Sequence, residues 1–153
     1  MARLREHIDI DAPPDRVWAV VAEDVKNAPK WTSYLERAEK LDAGPPGKGT
    51  RYRYLLNLPG SKVTLEVEQD VYNKPKKCSG RFVKGPLKGT WAYTYTERKG
   101  GATRLVYEMD YELGGIMRFA GVLLGPQYAA GIHRNMETLK TYIESGKGPK
   151  PKQ

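Results

Sequence analysis

Few groups in this chain could hold a metal or move a proton. There are two histidines, His7 and His133, and one cysteine, Cys78. Neither His7 nor Cys78 has a partner at metal-ligand spacing, and a lone cysteine builds neither a disulfide nor a cysteine cluster, so no metal is expected. No serine sits in a nucleophile-elbow pattern. The run Gly44-Pro45-Pro46-Gly47-Lys48-Gly49-Thr50 has the glycines and lysine of a phosphate loop. The motif's first glycine would fall at Asp42, and the run leads into a strand where a phosphate loop opens a helix, so no nucleotide cofactor is expected either. Tyrosine is what the chain has in excess. Ten tyrosines stand against two phenylalanines, with three tryptophans besides. Each tyrosine offers apolar area with a hydroxyl tip, which suits a partly wet core or a pocket for an apolar molecule.

These residues need elements to position them. With 153 residues, 39% hydrophobic and 29% charged, the chain reads as one soluble domain over residues 1–146, with a basic, disordered tail at 147–153. No run approaches the roughly 20 apolar residues of a membrane span, and the start lacks the apolar stretch of a secretory signal, so a reduced, cytoplasmic protein is expected.

Residues 4–11 alternate as a strand, with Ile8 and Ile10 on one side. Pro13 and Pro14 among acids open a helix over 13–24, and Asn27-Ala28-Pro29 resembles a second cap, opening a short helix through Trp31, Tyr34 and Leu35. Six strands follow at about 36–43, 49–58, 62–72, 77–84, 89–98 and 103–113, joined by short glycine- and proline-bearing turns as an antiparallel meander. The apolar segment 114–125 and the stretch 127–144 are helical. The second carries Tyr128, Ile132, Met136, Leu139 and Ile143 as one stripe, with Gly146 as its C-terminal cap.

That order of elements carries four local phrases: Ile10-Asp11-Ala12-Pro13-Pro14-Asp15-Arg16-Val17-Trp18, Gly47-Lys48-Gly49-Thr50, Lys84-Gly85-Pro86-Leu87-Lys88-Gly89-Thr90 and Ala102-Thr103-Arg104-Leu105. Over roughly residues 3–145 the chain resembles the START / polyketide cyclase–dehydrase superfamily, the helix-grip fold. The resemblance implies an α+β domain. A curved antiparallel sheet of about seven strands wraps a long C-terminal helix, two short helices follow the first strand, and a cavity holds an apolar small molecule. Members bind lipids, sterols, polyketides or plant hormones, and several are not enzymes.

Strand parity and the helix stripe then name the lining. The strands contribute Tyr52 and Tyr54, Leu65, Phe82, Trp91 and Tyr93, then Tyr107 and Met109. The helix contributes Tyr128, Ile132 and Met136. His133, a quarter turn off the stripe, and Trp31 are placed at the rim. Arg51, Arg53, Glu66, Glu68, Glu108 and Asp110 fall on the outer face. The mouth is expected between the long helix and the loops at 44–49, 57–62 and 83–89. Binding or transport of a lipid- or polyketide-like molecule is the leading expectation. The alternative is a cyclase, aromatase or dehydratase in the same cavity, with tyrosine or His133 moving protons. It needs a buried ionisable group there, and parity offers none, so no catalytic residue is named.

The net charge of +8 leaves a third expectation. Lys74, Lys76, Lys77, Arg81, Lys84 and Lys88 fall in one stretch without an acid and could meet an anionic membrane surface, although such lysines also simply solvate strand edges. No nucleic-acid motif is present, and nucleic acid is not an expected partner.

Overall fold

The computed structural model of the chain describes residues 2–58, 61–113 and 117–150, and for residues 58, 61, 113 and 117–128 the backbone alone. Seven strands form one antiparallel sheet: β1 (Ala2–Ile10), β2 (Leu35–Lys40), β3 (Arg51–Leu58), β4 (Ser61–Asn73), β5 (Lys77–Lys84), β6 (Leu87–Glu97) and β7 (Thr103–Leu113). Their spatial order is β1-β7-β6-β5-β4-β3-β2, so the six-strand meander is continuous and the first strand closes onto the last. The sheet curls as a half-barrel, and its edges are β1 and β2. Among the described residues no helix is long and apolar enough to cross a membrane.

Between β1 and β2 lie α1 (Pro14–Trp18), a π-helical turn at Ala19–Glu23 and a 3-10 helix at Val25–Lys30. The second short helix therefore starts two residues before the expected cap at Asn27 and stops before Trp31. Asp24 takes the capping place. Its carbonyl accepts the Asn27 backbone N–H at 3.1 Å, and its carboxylate accepts the Asn27 side-chain amide at 2.9 and 3.0 Å. Pro29 then sits inside the last turn, and Leu35 already belongs to β2.

The C-terminal helix is continuous, α2 (Met117–Glu144), where the sequence suggests two segments. It ends as expected at Gly146, with φ +86°. The Gly146 N–H donates to the Ile143 carbonyl at 3.0 Å and the Lys147 N–H to that of Tyr142 at 3.1 Å, which satisfies carbonyls the helix leaves open. Beyond it the Lys147 carbonyl accepts from the Arg16 guanidinium at 3.2 Å.

One buried cluster joins Leu139 and Ile143 of α2 to Ile10 of β1, Val17 and Trp18 of α1, and Leu105 of β7. A second, smaller cluster of Leu56, Leu65 and Leu87 occupies the other end of the concave face. Two features of the sheet bear on the site. Gln69 is buried by regular alternation, and after it an extra residue at the β4–β5 pairing, Asp70, breaks that alternation, so Val71 turns outward and Tyr72 comes back in against Trp18, with ring centroids 4.9 Å apart. Where β6 crosses β7, Gly89 (φ +128°) pairs with Tyr111, and a side chain there would collide with the Asp110 carbonyl oxygen. Gly89→Ala is expected to destabilise the fold by about 3 kcal/mol, combining strain with the displaced strand. Urea unfolding measures it, and a change under about 0.5 kcal/mol would contradict this account of the β6–β7 crossing.

Candidate functional site

Between the two buried clusters the sheet and α2 fail to meet, and a cavity of about 150 Å³ remains. Its sheet wall is aromatic. Tyr54 of β3, Phe82 of β5, Trp91 and Tyr93 of β6 and Tyr107 of β7 present their side chains to it, with Leu65 and Met109 among them. Tyr93 lies at the centre of this wall, its ring centroid 4.7 Å from that of Tyr107 and 6.2 Å from that of Trp91. Gly80 makes that arrangement possible. It stands in register between Gln69 and Trp91, and a Cβ there would lie 2.8 Å from Trp91 Cζ2, so the indole covers the bare backbone. Ile132 and Met136 of α2 form the opposite wall. Of the residues that strand parity and the helix stripe place at the lining, Tyr54, Leu65, Phe82, Trp91, Tyr93, Tyr107, Met109, Ile132 and Met136 stand around the cavity.

Four predicted positions stand differently. Tyr52 points inward and is 2% exposed, but its ring stacks behind that of Tyr54, at 6.4 Å and 13°, and does not reach the cavity. Trp31 is buried and lines the cavity rather than its rim. His133 is turned away from the cavity. Its Nδ1 lies 3.3 Å from a carboxylate oxygen of Glu6 on β1 and its Nε2 3.1 Å from one of Glu137, because one helical residue rotates it about 100° from Ile132. The Tyr128 side chain lies outside the described residues, as do Pro59 and Gly60 of the expected mouth. The outer face is as parity requires. Arg53 lies 3.5 Å from Glu66 and from Glu39, and Arg51 pairs with Glu68 at 3.0 Å.

Sequence reasoning overlooked much of the floor. Val21 and Ala22 from the π-helical turn, Val25, and Ala28 from the 3-10 helix all line the cavity. The five-residue turn is a local device that periodicity at 3.6 does not reveal. Gln69, Cys78 and Asn135 were missed as lining residues, and each brings a polar group. Gln69 continues the inward parity of Val63, Leu65 and Val67, so alternation could have found it. Asn135 is 5% exposed, and its Oδ1 accepts from the Ser33 backbone N–H at 3.1 Å and from the Ser33 hydroxyl at 3.2 Å.

The electrostatics are those of a neutral enclosure. Among the described lining residues none carries Asp, Glu, Lys, Arg or His. Burial pushes the Cys78 thiol up to about 12, only partly offset by its contact with the Tyr95 hydroxyl at 3.4 Å. Burial likewise pushes the Tyr54 phenol well above its ordinary range. Both groups therefore stay protonated at neutral pH, as hydrogen-bonding tips and not as bases. Among the described residues no group of three His, Cys, Asp or Glu side chains could hold a metal. The basic stretch is partly engaged. Lys74 lies 3.4 Å from Glu23, Arg81 3.4 Å from Glu68 and Lys84 3.8 Å from Glu66, and all six basic side chains of the stretch remain exposed.

A curled antiparallel sheet holding one long C-terminal helix, with a cavity between them, is the helix-grip architecture of START-like proteins. The family model described as "Polyketide cyclase / dehydrase and lipid transport" matches residues 1–144, and the chain belongs to that family. Solved structures share the fold at low identity. The protein TTHA0849 from Thermus thermophilus superposes with a TM-score of 0.77 at 20% identity, covering 94% of this chain and 98% of that one. The Zhui aromatase/cyclase from a Streptomyces species does so with 0.70 at 16%, covering 95% and 98%. A START superfamily protein from Mycobacterium smegmatis does so with 0.68 at 14%, covering 94% of each chain. No curated protein matches the sequence.

The protonated state of Cys78 has a measurable consequence. Its ordinary pKa of 9.0 is raised in the folded protein, so the stability it contributes is full below pH 9 and is lost as pH rises from 9 toward 12. The urea midpoint is expected to fall over that window, and to fall less in Cys78→Ala. At pH 8 a thiol reagent such as DTNB is expected to leave the native thiol unmodified and to react once urea unfolds the chain. Rapid labelling of the native protein would contradict the burial assigned to it.

Proposed function

We propose that the chain binds and carries a neutral, hydrophobic small molecule in the cavity between the sheet and α2. The observation that carries this reading is the lining itself. It is aromatic and aliphatic on every described side, interrupted by a few polar groups, and none of its described residues is charged. Such a surface gains by excluding water and has no means of neutralising an ionic ligand in a low-dielectric site. The family description includes both lipid transport and polyketide cyclisation, and the Zhui protein is an aromatase/cyclase. The transport side of that description fits this lining better. A cyclase or dehydratase step needs a group that takes or gives a proton near neutral pH. Tyr54 and Cys78 are both shifted away from that range, and His133 faces Glu6 instead of the cavity.

Size adds a restriction. About 150 Å³ is room for a single six-membered ring, and the half-open side of the cavity leaves space for substituents beyond it. Leu87, within the 83–89 loop, and Leu35 at the start of β2 line the cavity, which supports a mouth at that loop. The test is thermal unfolding with ethylbenzene as a neutral probe. At ten times its dissociation constant it should stabilise the protein by about 1.4 kcal/mol, or roughly 3–6 °C. Ala22→Phe, which fills the cavity floor, is expected to remove that response. No shift in the wild-type protein, or an equal shift in the filled variant, would overturn the reading.

A further inference from the structure

The cavity is bounded in three ways. Strands β3 to β7 are joined by backbone ladders, and no ligand passes between paired strands. On the β1 side the last turns of α2 close the space, with Leu139 and Ile143 packed in one buried cluster with Ile10 and Leu105. The third boundary is a seam. On one side of it stands the turn that leads into edge strand β2, whose Trp31, Thr32, Tyr34 and Leu35 line the cavity. On the other stands α2, with Asn135 and Met136.

The turn belongs to the sheet. The Asn57 backbone N–H of β3 donates to the Tyr34 carbonyl at 2.7 Å, and Leu35 is in register with Leu56. Tyr34 and Leu35 also pack against the cluster of Leu56, Leu65 and Leu87, so the turn stands by the 83–89 loop as a second jaw of the mouth. Its tie to α2 is of another kind. Asn135 Oδ1 accepts both the Ser33 backbone N–H, at 3.1 Å, and the Ser33 hydroxyl, at 3.2 Å. Ser33 is exposed and stands off the lining, while Asn135 is buried on it, so one amide oxygen spans the seam. Parting two hydrogen bonds is within reach of a local fluctuation, whereas opening a strand pair breaks a whole ladder.

Resting on the carrier reading, we propose that the ligand enters and leaves through this seam and that Asn135 is its latch. The bonds to Ser33 break as the turn and α2 part, and re-form behind the ligand. Leu139 and Ile143, both wholly buried, lie C-terminal to Asn135 and give the helix its pivot. Asn135 is thus a positioning residue that acts on passage. The latch is closed in the empty and in the loaded protein alike, so it lowers the entry and exit rates by the same factor and cancels from the affinity. A residue that only touches the ligand alters chiefly the exit rate, and the affinity with it.

Ethylbenzene is the probe. Titration calorimetry reads its affinity and NMR its exchange between bound and free states, with circular dichroism confirming that each variant is folded. Ser33→Ala removes one bond and leaves the lining untouched. It is expected to raise the entry and exit rates together, by about threefold to tenfold, with the dissociation constant held within about twofold. Asn135→Leu removes both bonds and is expected to raise the exit rate at least about tenfold; should it not fold, Ser33→Ala decides. Ser33→Thr keeps both donors and is expected to exchange as the wild-type protein does. Thr103→Val removes the bond to the Ala12 carbonyl at the anchored end, away from the seam, and is expected to leave exchange unchanged. Unchanged exchange in the Ser33→Ala and Asn135→Leu variants, an exit rate raised without the entry rate, or equal acceleration in Thr103→Val would overturn the latch while the carrier reading stands. If ethylbenzene does not bind the wild-type protein, the carrier reading falls and takes the inference with it.

Discussion

The last turns of α2 fix the position of everything else. Leu139 and Ile143 are wholly buried, in one cluster with Ile10, Val17, Trp18 and Leu105. Polar ties surround that anchor. The Glu144 carboxylate accepts the Asp11 backbone N–H at 2.8 Å, and Thr103 Oγ1 donates to the Ala12 carbonyl at 2.7 Å. These contacts hold the helix against the β1 side of the sheet. The sheet then curves away toward β2, and one helix held at one edge cannot fill the whole concave face. The gap that results lies between the anchored cluster and the smaller leucine cluster.

A gap of that size forgoes packing contacts that a solid core would make. The sequence could have closed it with larger residues where Ala22 and Ala28 stand. Instead those positions are small, and the facing wall is made of tyrosines and tryptophan whose rings rest on one another and over Gly80. Polar groups are sorted with equal consistency. Charges lie on the convex face in pairs such as Arg51–Glu68, while the concave face keeps neutral hydroxyl, thiol, indole and amide groups. Packing and electrostatics therefore point toward one kind of occupant, apolar and uncharged.

Much of this is legible in the residues alone. Alternation in β3, β4, β6 and β7 sorts Tyr54, Leu65, Trp91, Tyr93, Tyr107 and Met109 inward, because a strand's period of two leaves no other face. The stripe on α2 sorts Ile132 and Met136 in the same way. What alternation does not carry is where it breaks. The extra residue at Asp70 reverses Val71 and Tyr72, and nothing in the local composition marks it. The π-helical turn brings Val21 and Ala22 to the floor and the 3-10 helix after it adds Val25 and Ala28, a change of helix type that local composition does not mark. Side-chain reach is the other gap. Parity places Tyr52 and Tyr54 on one face, but only the stacking of their rings decides that Tyr54 meets the cavity and Tyr52 does not. His133 shows the same limit, since the nearby Glu6 on β1 settles the side it takes, and that pairing is a tertiary fact.

The central claim is that the cavity exists to hold a molecule. Native mass spectrometry of the freshly purified protein, followed by organic extraction, tests it most directly. The account predicts a mass above that of the chain, with the excess lost on denaturation and recovered in the extract as an uncharged, hydrophobic compound. A charged or highly polar compound recovered in stoichiometric amount from the folded protein would contradict it.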